Sequence, residues 1–177
     1  MGDIAAPEKV LLLCSIFTRY EEAFVWAKNQ LSLHYGRVNL ESPPFDFSET
    51  GYYAPQMGEG LILRMVTFDT LIDPGTLSRI KVYTNYLEKE YAALARHPEK
   101  LPLNIDPGYL TLAKFILATT KDASHRIYLG EGIFAEVTLY FSRGVWHDLH
   151  WTYPNYRRAD YKEFLSACRK LLSRRGK

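Results

Sequence analysis

Between Leu103 and Arg126 the chain reads LNIDPGYLTLAKFILATTKDASHR, a dense set of ionisable groups around an apolar run. Asp106, Lys114, Lys121, His125 and Arg126 are the types that clamp a phosphorylated or carboxylated ligand. The cations would pair with its oxygens and His125 would move a proton. Tyr109 adds a hydroxyl beside the Asp-Pro-Gly sequence. The competing reading is a set of surface charges around a turn. Glu136, further on, interrupts an otherwise apolar segment and either faces solvent or joins the same site. His125, Glu136 and Asp106 are therefore the candidate acid–base groups. Tyr109, Lys114, Lys121 and Arg126 are candidate ligand contacts. Lys and Arg outnumber carboxylates in the stretch, and Glu136 balances the count. Complete pairing would make a structural network, whereas donors left towards a cleft would make a binding site.

Other constellations are weaker. Trp146–Trp151 reads WHDLHW, and on a strand Asp148 and His150 share a face. Two ligands fall short of the three or four a zinc site uses, so no metal site is assigned. Phosphate-loop, dinucleotide, HExxH, CxxC and nucleophile-elbow motifs are absent. Cys14 and Cys168 sit in apolar patterns and read as buried free thiols of a reducing compartment. From Arg157 onward eight Lys/Arg face two Asp/Glu, although the whole chain carries only +2. That basic tail, beside Tyr153 and Tyr156, could hold RNA, but cations late in a helix also offset its dipole, and nucleic acid is the less favoured partner.

The 177 residues suit one domain, and 47% hydrophobic with 24% charged residues is an ordinary globular composition. Thirteen tyrosines can line an interface or a pocket, or belong to a core that reaches its own surface. The apolar run Val10–Phe17 is short, follows Glu8 and lacks a cleavage site, so no signal peptide is expected. No stretch reaches the ~20 apolar residues of a membrane span, and a cytoplasmic protein is expected.

The elements that must position these residues follow from periodicity. KVLLLCSIF reads as a buried strand, and Thr18 with Glu21 has capping-box spacing for a helix ending at Gly36. Val38–Leu40 and Phe45–Phe47 read as strand pieces, and LILRMVTFD as a full strand. Asp73-Pro74 opens a second helix with Leu77, Ile80, Thr84, Leu87, Tyr91 and Leu94 on its stripe. Asp106-Pro107-Gly108-Tyr109 reads as a turn, and residues 110–121 lean towards helix over strand. Residues 125–151 read as a β-meander, with Ile133, Ala135, Val137, Leu139 and Phe141 on one face of its middle strand. A last helix from about Asp160 should bury Tyr161, Phe164, Leu165, Cys168 and Leu172. The order predicts an α+β fold, a ferredoxin-like βαββα core with a mainly antiparallel sheet, then a meander and a terminal helix.

The segments PFDFSETGYYAPQMG, LIDPGTLSRIKVYTNYLE, the opening stretch through Phe141, and WTYPNYR together resemble a bacterial and archaeal family, number 4416 in the domain-of-unknown-function series. The resemblance runs from about Val10 to Leu172. It implies characteristic polar positions at Asp46, Tyr52, Tyr53, Lys81, Asn85, Asn104, Glu131 and Tyr153 besides those named above. Tyr52, Tyr53, Lys81 and Asn104 join the ligand-contact set on that basis. The expectation is a pocket for a small anionic, phosphorylated or nucleotide-like ligand, with an acid–base reaction open. The rival is an interaction module for a protein or RNA, using a Tyr-rich surface and the basic last helix. The sequence specifies no cofactor and no oligomeric state.

Overall fold

The computed structural model describes residues 2–47 and 54–175. Its described elements, in chain order, are β1 (Leu11–Thr18), α1 (Glu21–Tyr35), β2 (Val38–Glu41), β3 (Phe45–Asp46), α2 (Ala54–Met57), β4 (Ile62–Phe68), α3 (Leu77–Ala93), β5 (Asn104–Leu110), β6 (Lys114–Thr119), β7 (Ile127–Gly130), β8 (Ile133–Ser142), β9 (Val145–Asp148) and α4 (Ala159–Arg175). The strands form one sheet in the order β2-β4-β1-β5-β6-β8-β7, with β3 also on β4 and β9 also on β8. The described strand pairs are all antiparallel. This is a mixed fold of helices on an antiparallel sheet.

Strand alternation splits β1 between two cores. Leu11, Leu13 and Phe17 pack with Tyr161, Phe164, Leu165 and Cys168 of α4. Leu12, Cys14 and Ile16 pack with Ala23, Phe24, Ala27 and Leu31 of α1 and Ile80, Leu87 and Tyr91 of α3. A sheet covered on both faces needs a central strand buried throughout, which β1 supplies with apolar residues at every position but Ser15 and Thr18, whose hydroxyls are hydrogen-bonded to Tyr156 and the Pro102 carbonyl. The α4 stripe is buried as its spacing predicts, with Leu172 partly so. The α3 stripe is buried as far as Tyr91, while Leu94 is exposed.

Several expectations are corrected. Thr18 does not cap α1, which starts at Glu21; its hydroxyl accepts from Tyr20 N–H and donates to the Pro102 carbonyl. Asp106-Pro107-Gly108-Tyr109 is not a turn but runs inside β5. Residues 114–119 are not helical; they form β6, whose Phe115, Ile116 and Leu117 are buried between β5 and β8. Pairing on both sides outweighs the weak helix preference of the segment. At its start the Thr111 hydroxyl accepts the Ala113 and Lys114 amides in the β5–β6 turn. The alternation of β8 also breaks. Ile116 pairs with Val137 and Phe115 with Leu139, so Thr138 is an extra, bulged residue. Ile133 and Ala135 consequently face α3, whereas Leu139 faces α4.

Candidate functional site

The candidate residues gather where the sheet opens between β5 and β6. These strands pair only at Gly108–Leu117, Tyr109–Ile116 and Leu110–Phe115. Pro107 marks the limit. Alternation turns its backbone nitrogen away from β1, and a proline has no N–H to give a further β6 partner. One step earlier, Ile105 also turns its backbone away from β1, and α3 replaces the missing strand. Ile105 N–H donates to Glu88 Oε1 at 2.7 Å, and its carbonyl accepts from Lys81 Nζ at 2.9 Å.

Lys81 also crosses this gap. By register Asn104 and Asp106 sit beside Phe17 and Ser15 on the α4 face, opposite the face α3 covers. Lys81 Nζ nevertheless reaches Asp106 Oδ1 at 2.9 Å, with Glu88 Oε1 at 3.9 Å. Asn104 Nδ2 donates to Asp106 Oδ2 at 3.1 Å. Burial works against the Lys81 ammonium, but the charges of Asp106 and Glu88 outweigh it and raise its pKa. Burial pushes the Glu88 carboxyl up to about 7 despite Lys81 and the Ile105 amide.

Across the gap, Glu136 is 3% exposed rather than solvated, on the same sheet face as Asp106. Its Oε2 faces His125 Nε2 at 3.1 Å and accepts from Arg126 Nε at 3.0 Å, and its Oε1 accepts from the bulged Thr138 hydroxyl at 3.2 Å. Arg126 Nη1 donates to the Lys121 carbonyl at 2.9 Å and Nη2 to the Tyr153 hydroxyl at 2.7 Å. Burial, then the nearby Glu136 carboxylate, raises the Tyr153 pKa, and Asp106 adds to it. Facing a carboxylate, His125 Nε2 must carry the proton, which makes Nδ1 the lone-pair nitrogen of the neutral ring. The ring is stacked on Trp151, centroids 5.0 Å apart at 14°, and the Trp151 indole N–H is tied to the Val137 carbonyl.

The structure therefore brings Lys81, Asn104 and Asp106 to one side of the gap, and His125, Arg126 and Glu136 to the other, with the Lys81 and Arg126 cations cross-paired to carboxylates as in a structural network. Lys121 takes part through its backbone, with its side chain exposed. Lys114 does not join. It is exposed at the start of β6, three residues from Leu117, which pairs with Glu136, or about 10 Å along a strand. The expected helix that would have carried Lys114 to the site does not exist. Tyr109 does not join either, because alternation turns it to the opposite face from Asp106, against α3. Tyr52 and Tyr53 lie outside the described residues. Sequence reasoning missed Glu88. The available signal was its place seven residues after Lys81, beside Leu87 and Tyr91 of the apolar stripe. Asp148 pairs with Lys162 at 2.6 Å, and no group of three metal-ligating side chains occurs among the described residues.

The basic tail is largely committed inside the fold. Arg157 donates to the Leu149, His150 and Thr152 carbonyls, Arg158 pairs with Asp160, Arg169 caps the Leu112 carbonyl and Arg175 donates to the Asp69 carbonyl. No helix among the described residues is long and apolar enough to cross a membrane. Neither a curated protein nor a solved structure matches the chain. Residues 8–172, nearly its full length, match the family described as Domain of unknown function (DUF4416), and the chain belongs to that family.

Proposed function

We propose that the chain binds a small anionic ligand, phosphorylated or carboxylated, at the opening between β5 and β6, with His125 as its acid–base group. The observation that carries this is the fixing of His125. A buried carboxylate holds one ring nitrogen and an indole face holds the ring plane, as in catalytic histidines whose other nitrogen meets the substrate. Protonated, Nδ1 donates to an anion; neutral, it accepts a proton. Tyr153 and Asp106 border the same opening. The supporting frame is one α+β domain acting in the cytoplasm, a location its two buried free thiols favour. The segment order β1-α1-β2-β4-α3-β5, with sheet order β2-β4-β1-β5, favours a ferredoxin-like core.

A thermal-shift screen of inorganic phosphate, phosphorylated sugars, nucleotides and small carboxylates tests the reading. A ligand at 100 times its Kd stabilises by about 2.7 kcal/mol. The expected shift disappears in His125→Ala. A screen without a hit, or a hit that His125→Ala retains in full, refutes the assignment. The second reading, an interaction module, draws on exposed Tyr86 and Tyr128, while the engaged arginines of α4 weaken its RNA form.

A further inference from the structure

The edge of the sheet opposite β2 is built from two short strands. β7 pairs with the first part of β8 and β9 with its last part, both on the side away from β6. β7 carries neither a charge nor a proline of the kind that keeps edge strands monomeric, and the acidic residue of β9, Asp148, is paired with Lys162. Ile127 is 72% exposed, Tyr128 59% and Val145 54%, and Leu129 is exposed as well. Trp151 is 36% exposed, and its indole bonds to Val137 at mid-β8, between the two short strands.

The ends of the edge carry opposite charges. At one end, Glu131-Gly132 joins β7 to β8; at the other, Arg143-Gly144 joins β8 to β9. The four residues have φ of 56°, 74°, 51° and 84°. Positive φ at both central residues defines the type I′ hairpin, which favours Asn, Asp or Gly at its first position. Glu and Arg are strained choices there. Both side chains are exposed, and neither has an ion-pair partner among the described residues. The ten-residue β8 separates the turns by about 30 Å.

We infer that this edge is a two-fold interface with a second copy of the chain. A two-fold axis through the middle of the edge, at the level of Trp151, reverses its direction. Each Glu131 then faces Arg143 of the other copy, and the apolar strands and indoles meet between them. The same patch serves both copies, as an isologous interface requires. Ten such side chains, five from each copy, supply on the order of the 1,000 Å² of a specific contact. The central aromatic is the residue type that dominates such interfaces. This inference does not rest on the ligand reading.

Sedimentation velocity of the full chain tests it. At about 100 μM, well above the micromolar constants of weak interfaces, the chain runs as a dimer. Glu131→Lys and Arg143→Glu each weaken association about tenfold or more, because two like-charge contacts form per dimer. The double variant, with charges exchanged, restores it. Replacing both by Asn raises the monomer's Tm, since Asn-Gly suits the turn, yet weakens the dimer. A monomer at that concentration overturns the inference, including one that pairs only with an unrelated extended peptide. A dimer indifferent to both reversals sits on another surface and overturns it too.

Discussion

Lys81 and Glu88 stand two turns apart on α3 and hold both backbone groups of Ile105, one each. They do for one residue what a neighbouring strand does elsewhere. The arrangement places a charged triad, with Asp106, inside the sheet.

Lys81→Met should be strongly destabilising. It strands two carboxylates and the Ile105 carbonyl, and breaking a buried pair from one side costs about 3–5 kcal/mol. Urea denaturation measures this. Adding Glu88→Gln and Asp106→Asn should recover part of the loss; a triple variant no more stable than Lys81→Met would show that the charges are not the cause.

The Glu88 carboxyl gives a pH signature. Its folded pKa, about 7, lies above the ordinary value of 4.5. The folded state then binds the proton more tightly than the unfolded chain. The contribution is fully present below about pH 4.5 and is lost as pH rises through 7, up to roughly 3 kcal/mol. The Lys81 pKa is raised from 10.5, so its own contribution persists across that window. Glu88→Gln should flatten the decline between pH 5 and 8. An unchanged slope in denaturation curves at the two pH values rules the assignment out.

Glu136→Gln removes the charge that three side chains address. The Arg126 guanidinium is left buried against a neutral amide, at a cost of about 3 kcal/mol. The double variant Glu136→Gln, Arg126→Gln should be less than additive in thermal unfolding. Strict additivity would mean that the two do not interact.

Gly108→Ala tests the contact between β5 and β6. An added Cβ would lie 2.3 Å from the Ile116 carbonyl oxygen, a backbone atom that cannot rotate away. Overpacking of this kind costs about 1–3 kcal/mol. A melting temperature within error of the parent would show that the strands part freely at this point.

What was legible in the sequence was what single elements dictate. The stripe of α4 follows from spacing, as do the Asp73 cap, whose side chain accepts the Gly75 amide, and the strands β7, β8 and β9; the expected meander is not formed, because β7 and β9 both pair with β8 on the side away from β6. What was not legible depends on partners distant in the chain. Asp-Pro-Gly has turn chemistry, yet here Pro107 faces the gap where no donor is needed, and Gly108 admits a close carbonyl. The meeting of His125, Arg126 and Glu136 was readable because they flank one hairpin. Glu88 was hidden because a carboxylate on a helix stripe ordinarily marks the solvent side, and only the interrupted sheet makes room for it. Thr138 changes the facing of every residue after it, and no local signal announces a bulge.

The Ile105 amide sits in an interior strand, yet a side chain seals it. Elsewhere in a sheet, deuterium enters when two strands separate, an event involving many residues. Here it enters when one carboxylate swings aside. The isotope at this nitrogen therefore keeps time for a rotamer of α3, on a faster clock than its neighbours along β5. An exchange profile of the strand should show one quick position among slow ones, with the sheet itself still closed.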